Sequence, residues 1–193
     1  MPFIVVTPST VLPVSVEEVK LQTVVEHSED DTLLEMYIKA AVDYGEKVTG
    51  RNFTPVTYQL ELDSFPAGKI ALRPNLQSVT SIVFTDSDGV EQTLDSNEYN
   101  VRTTAIVGYV EPVDSWPAGK DVVVTFTAGY PLSGGEPTTP YGIKLWLMVK
   151  VADHYKQRES FLAQGGNATV APLPQSFIDN MLSCEIVPGV GAI

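Results

Sequence analysis

The chain has 193 residues, with 24 acidic against 12 basic side chains and a formal net charge of −12. Such a length suits one compact domain, or one domain carrying a sizeable insertion, and 44% hydrophobic with 19% charged residues supplies a real core and excludes general disorder. The acidic balance excludes a surface that grips nucleic acid, since such a surface neutralises phosphates with Lys and Arg; it does not exclude lying beside nucleic acid without gripping it.

Residues 1–14 are apolar but hold Pro2, Pro8 and Pro13, and they read as an extended N-terminal arm. The stretch MPFIVVTPST lacks the basic start of a secretory signal. Ser15-Val-Glu-Glu18 is a capping box that opens a short helix reaching about Thr23. Ser28 followed by Glu29, Asp30 and Asp31 suits a second helix start, because carboxylates there meet free amide groups. Leu33, Leu34, Tyr37, Ile38, Ala41 and Val48 then recur at helical spacing, and Gly50 supplies the stop, which predicts a helix over 29–49.

From residue 55 the period becomes two. Tyr58, Leu60 and Leu62 alternate with Gln59, Glu61 and Asp63, as in a strand with one wet face. Further strands are expected at Lys69–Leu72, Ser78–Thr85, Val90–Leu94, Glu98–Arg102, Ile106–Glu111 and Val122–Ala128, with Asp88-Gly89 as a hairpin turn. A loop holding Pro131, Gly134, Gly135, Pro137 and Pro140 leads to a long helix at about 141–158. A polar connection (Glu159–Ala171) follows, then a last helix opened by Pro174 with Phe177, Ile178, Met181 and Leu182 on one face. The expected class is α+β: a small helical bundle (15–54 and 138–184) interrupted by an antiparallel sheet or barrel-like insertion (55–137), with an extended tail at 185–193.

The search for chemistry is negative. His27 lies beside the acidic helix start, where solvation or capping suffices, and His154 sits between Asp153 and Tyr155 on a helix, where adjacent residues do not face each other. Asp86-Ser-Asp88-Gly89 has its glycine two places too early for a calcium loop. There is no phosphate-binding glycine loop, dinucleotide fingerprint, nucleophile elbow or paired-histidine zinc motif. The lone Cys184 permits neither an intrachain disulfide nor a cysteine zinc cage, and suits a reducing compartment. No catalytic, cofactor or metal residue is assigned, no cofactor is expected, and the chain is not expected to be an enzyme.

One helix exceeds the ordinary pattern. Between Ile143 and Ala152 apolar residues cover nearly the whole circumference, interrupted by Lys144 and Lys150 and too short to span a bilayer, so no membrane role is expected. Trp146 and Met148 lie about 200° apart at ~100° per residue. They cannot share one intrachain surface, so one of them is expected to contact a neighbouring subunit or a second layer, the alternative being that the sheet covers one side of the helix and the first long helix the other.

These residues together carry a resemblance. Ser15–Lys20, the acidic helix Asp30–Arg51, Leu76–Ile82 with Asp88-Gly89, Val122–Tyr130 and His154–Glu159 follow in the order seen in the head–tail connector (adaptor, or head-completion) proteins of tailed bacteriophages, in the branch where a β-domain interrupts the helical bundle. The resemblance covers about residues 15–160, and the chain departs from the family beyond them. It implies a non-enzymatic homo-oligomeric ring, usually of twelve copies, in the virion neck, made in the host bacterial cytoplasm. Such a ring docks on the portal protein after DNA packaging, extends the DNA channel and receives the next neck or tail protein. DNA would pass through the lumen without sequence-specific binding, and twelve copies at −12 each predict a carboxylate-lined lumen. The resemblance also assigns portal docking to the apolar tail through Ile186, Val187, Val190 and Ile193, an extended segment suited to a sheet edge or groove. The alternative is a small β-domain module binding a soluble ligand or glycan, with Tyr99, Tyr109 and Trp116 as its aromatic candidates.

Overall fold

A computed structural model describes residues 3–104, 106–156 and 181–188. It divides into two compact units, one of residues 1–11 and 51–138 and one of residues 12–50 and 139–193. The class is α+β, with antiparallel sheets in the first unit and helices in the second.

In the β unit, strands β1 (Phe3–Thr7), β2 (Val56–Ser64), β4 (Leu76–Thr85), β5 (Glu91–Thr93) and β8 (Lys120–Ala128) form an antiparallel sheet in the order β1-β2-β8-β4-β5. Strands β3 (Ile70–Leu72), β6 (Tyr99–Arg102) and β7 (Gly108–Pro112) form a second sheet in the order β3-β7-β6. The period-two residues of both sheets turn one face inward, and Leu60, Ile82, Val124 and Phe126 from the first meet Ile70, Leu72 and Val110 from the second in one apolar core. The strand-pattern expectations for 58–128 hold, with ends shifted by a few residues.

Two segments differ from expectation. Residues 3–7 of the arm are a strand paired to β2, with Phe3 opposite Leu60. Phe3 sets its ring edge-on to Tyr58 and Phe126 at 6.3 and 5.8 Å between centroids. The prolines bracket this strand instead of interrupting it. The loop expected around Gly134-Gly135 is a hairpin of β9 (Leu132–Ser133) and β10 (Glu136–Pro137). Both glycines have positive φ (61° and 91°), which a tight two-residue hairpin turn requires.

The helical unit contains α1 (Val16–Thr23), α2 (Asp31–Thr49) and α3 (Tyr141–Lys156). The capping box forms as its spacing requires: Ser15 N–H donates to Glu18 Oε2 at 2.7 Å, and Glu18 N–H donates to Ser15 Oγ at 3.1 Å. Gly50, at φ 70°, closes α2 with its N–H on the Glu46 carbonyl. The start of α2 departs from the sequence reading. It begins at Asp31 and no side chain caps it. The carboxylates expected to cap it make tertiary bonds: Asp31 takes the Lys20 ammonium at 2.8 Å, and Asp30 accepts from Tyr155 Oη at 2.5 Å, tying α2 to α1 and to α3. Val19, Leu34, Ile38, Ile143, Trp146, Leu147 and Val151 are buried, with Leu182 from the helical turn at 181–183. The expected helix start at Pro174, with Phe177 and Ile178, lies outside the described residues.

Gly129 ends β8 at φ 121°, and a Cβ there would overlap the Thr54 carbonyl. Gly129→Ala should therefore destabilise the protein by about 2–4 kcal/mol in denaturant titration. Gly134→Ala, also at positive φ but facing open space, should cost only about 1–2 kcal/mol.

Candidate functional site

The titratable groups singled out in the sequence are scattered and locally occupied. His27 Nδ1 lies 3.1 Å from Glu29 Oε2 at the surface, and His154 stacks on Tyr37 with centroids 6.1 Å apart. Among the described residues no cluster of His, Cys, Asp or Glu is placed to hold a metal ion, and no helix is long and apolar enough to cross a membrane. Cys184 is exposed.

Asp86 is committed to the β4–β5 turn. Its Oδ1 accepts the N–H groups of Asp88 and Val90, each at 2.9 Å, and its Oδ2 accepts Gln92 Nε2 at 2.9 Å. The Gln92 bond and then the Val90 amide favour the charged form and hold this carboxyl below its ordinary value. The hairpin reading of Asp86–Gly89 is the one the geometry bears out.

The aromatics proposed for a glycan site are used inside the β unit. Tyr99 is buried, and that burial, with the Asp95 charge second, raises its phenol pKa. Trp116 stacks on Phe65 at 5.1 Å and donates its indole N–H to the Gly68 carbonyl at 2.6 Å. Tyr109 lies under the Lys69 ammonium, 4.4 Å from its centroid.

What the molecule offers instead is apolar surface on the helical unit. Trp146 is fully buried, stacked on Tyr44 at 6.2 Å, with the Lys150 ammonium 5.9 Å from its centroid. Its indole nitrogen is buried with no hydrogen-bond partner among the described residues. On another face of α3, Leu145 is 43% exposed and Met148 and Val149 are half-buried. Of the Trp146–Met148 pair, Met148 is thus the one with surface to offer. Exposed Leu21, Val24, Met36 and Tyr141 add to the apolar surface of this unit.

In the tail, Val187 is one of the residues expected to dock on the portal. Its side chain is buried and its N–H donates to the Thr49 carbonyl at 3.0 Å, so it is occupied within the helical unit. Ile186 is 38% exposed; Val190 and Ile193 lie outside the described residues.

Residues 13–105 match the model of the phage gp6-like head-tail connector protein family. Among solved structures, a chain in the neck of an empty GTA particle computed with C6 symmetry superposes with a TM-score of 0.71 at 19% identity, covering 94% of this chain and 95% of that one. A chain in the virion of a native gene transfer agent (GTA) particle matches with the same values. A chain in the neck of the native GTA particle computed with C12 symmetry gives 0.67 at 22% identity, covering 94% of each chain. At these identities the likeness establishes the fold. No curated protein sequence matches.

The Asp86 geometry makes a prediction with a definite sign. A carboxyl held below its ordinary value stabilises the turn fully above the unfolded value of about 3.9 and loses that contribution as pH falls through the lowered folded value. The amide shifts of Asp88 and Val90, followed by NMR, should titrate with a midpoint below the ordinary 3.8. Millimolar calcium should leave them unmoved.

Proposed function

We propose that this chain, whose residues 13–105 match the phage gp6-like head-tail connector family model, serves as one subunit of an oligomeric adaptor ring in the virion neck, where it joins the head to the tail. The observation that carries this is the agreement of the family match over 13–105 with a fold shared across 94% of the chain with proteins of GTA particle necks. The role is structural, and the scattered, locally occupied titratable groups support a chain without an active site.

The surface chemistry suits this role. A ring subunit needs two different faces, one for each neighbour, so that a repeated rotation closes. We place the Leu145–Met148 face of α3 in the subunit contact, with Trp146 behind it as core. The ring docks on the portal and hands on to the next neck or tail protein. The portal-docking role falls to Ile186, Val190 and Ile193, with Val187 as the anchor that fixes where the docking segment leaves the subunit. A net charge of −12 per copy favours a carboxylate-lined channel that repels phosphates, so that DNA slides through without being held.

Negative-stain imaging and native mass spectrometry of the protein, alone and with portal-bearing heads, should show closed rings. The rings should not retard duplex DNA in a gel at low salt. Met148→Asp should leave the far-UV circular dichroism unchanged and keep the chain monomeric. Rings of undiminished yield from that variant would remove Met148 from the contact, and wild-type chains monomeric even on heads would overturn the ring.

A second outcome separates docking from folding. A chain ending at Pro188 should stay as stable as the full chain but fail to attach to portal-bearing heads. A chain ending at Cys184 also loses buried Val187 and should be less stable by about 1.5–3 kcal/mol. Normal attachment of the 188-residue chain would overturn the tail assignment.

A further inference from the structure

Val24 holds a conformation that its chemistry disfavours. It closes α1 at φ 58° and ψ 47°, the left-handed region in which a β-branched residue is strained and glycine is the ordinary choice. The strain secures no packing inside the subunit, because the side chain is 82% exposed. Leu21, three residues earlier in the last turn of α1, is also 82% exposed. Together they make an apolar knob at the end of α1. The residues that follow it include Glu26 and Glu29, both exposed.

A receptor of complementary character lies on α2 and α3. A cleft of about 330 Å³ is lined by Ala40, Ala41, Tyr44, Trp146, Lys150 and His154. Two alanines leave room for a branched side chain, and the exposed Tyr44 ring, stacked on buried Trp146, offers it apolar contact. In a chain with 24 acidic residues none lines this cleft, and its charged member is a lysine.

We infer that the Leu21–Val24 knob of one copy seats in the α2–α3 cleft of the next, with Glu26 facing Lys150. The occupant is a second copy because the chain itself carries both halves: an apolar knob beside carboxylates and an apolar cleft beside an ammonium. Knob and cleft are different surfaces, so the contact is head-to-tail, the kind whose repetition gives a ring when the rotation closes. The inference rests on the ring reading above and adds, to the Leu145–Met148 face placed in the subunit contact there, a knob-and-cleft contact between neighbouring copies. It also accounts for a strained valine where glycine would fold more easily, since strained residues cluster where function requires them.

The test uses three variants of the full chain, followed by native mass spectrometry across a concentration series. Leu21→Asp spoils the knob and Ala40→Trp fills the cleft; both positions are exposed, so both variants should fold and stay monomeric. Mixed together they should form heterodimers and nothing larger, because one intact knob still meets one intact cleft. Val24→Gly should raise the melting temperature by relieving the backbone, yet weaken association at least tenfold. Assembly of either Leu21→Asp or Ala40→Trp like the wild type would overturn this contact while leaving the ring reading intact. So would a mixture that yields no heterodimer. A wild-type chain monomeric at every concentration and on portal-bearing heads would overturn both.

Discussion

The apolar circumference of α3 sets the terms for the helical unit. Ile143, Trp146, Leu147 and Val151 are buried within it, yet the same sixteen-residue helix carries Leu145, Met148 and Val149 on another face. An amphipathic helix needs cover over one stripe, whereas a helix apolar on several sides needs cover on several. The unit answers the first demand with α1 and α2, clamped by the Lys20–Asp31 pair and the Tyr155–Asp30 hydrogen bond. The second demand is left open at the surface. A subunit that buried all of α3 by itself would have less reason to associate, and the ring proposed above would supply the cover that this subunit leaves open.

The β unit works under a different constraint, that of sheet edges. β8 lies between β2 and β4, and its inward residues Val122, Val124 and Phe126 are fully buried. β1 is the last strand on one side, and it leaves Ile4, Val5 and Val6 about half exposed. A long uncharged edge invites pairing with another chain. Here the strand is five residues long and lies between Pro2 and Pro8, which cannot donate ladder hydrogen bonds and so limit its extension. Phe3 fastens it through the aromatic cluster with Tyr58 and Phe126.

The acidic residues divide between local structure and bulk charge. Glu18 closes the α1 capping box, Asp86 organises a turn, and Glu111 pairs with Arg102 at 3.0 Å across neighbouring strands. Each does a task that needs a single carboxylate at one position. The net excess over basic residues has no such local cause, and its consequence is a field around the protein that repels phosphate.

The elements of this protein were legible in its sequence wherever their cause is local. A capping box is a four-residue pattern, a hairpin turn is a glycine after an aspartate, and strand alternation needs only the period of the pleat, so α1, the β4–β5 turn and the core strands could be read directly. Even the unusual character of α3 follows from its composition. The tertiary structure decided matters that depend on partners distant in the chain. Asp30 and Asp31 looked like helix caps because the sequence does not disclose Lys20 and Tyr155 waiting beside them. Residues 3–7 looked like an arm because a strand needs a neighbour, and β2 lies some fifty residues on. Val187 looked free until Thr49 offered its carbonyl. The exposed valine in a left-handed turn and the cleft between α2 and α3 leave no mark in any window of residues, because backbone angles and enclosed space arise only when the chain has folded.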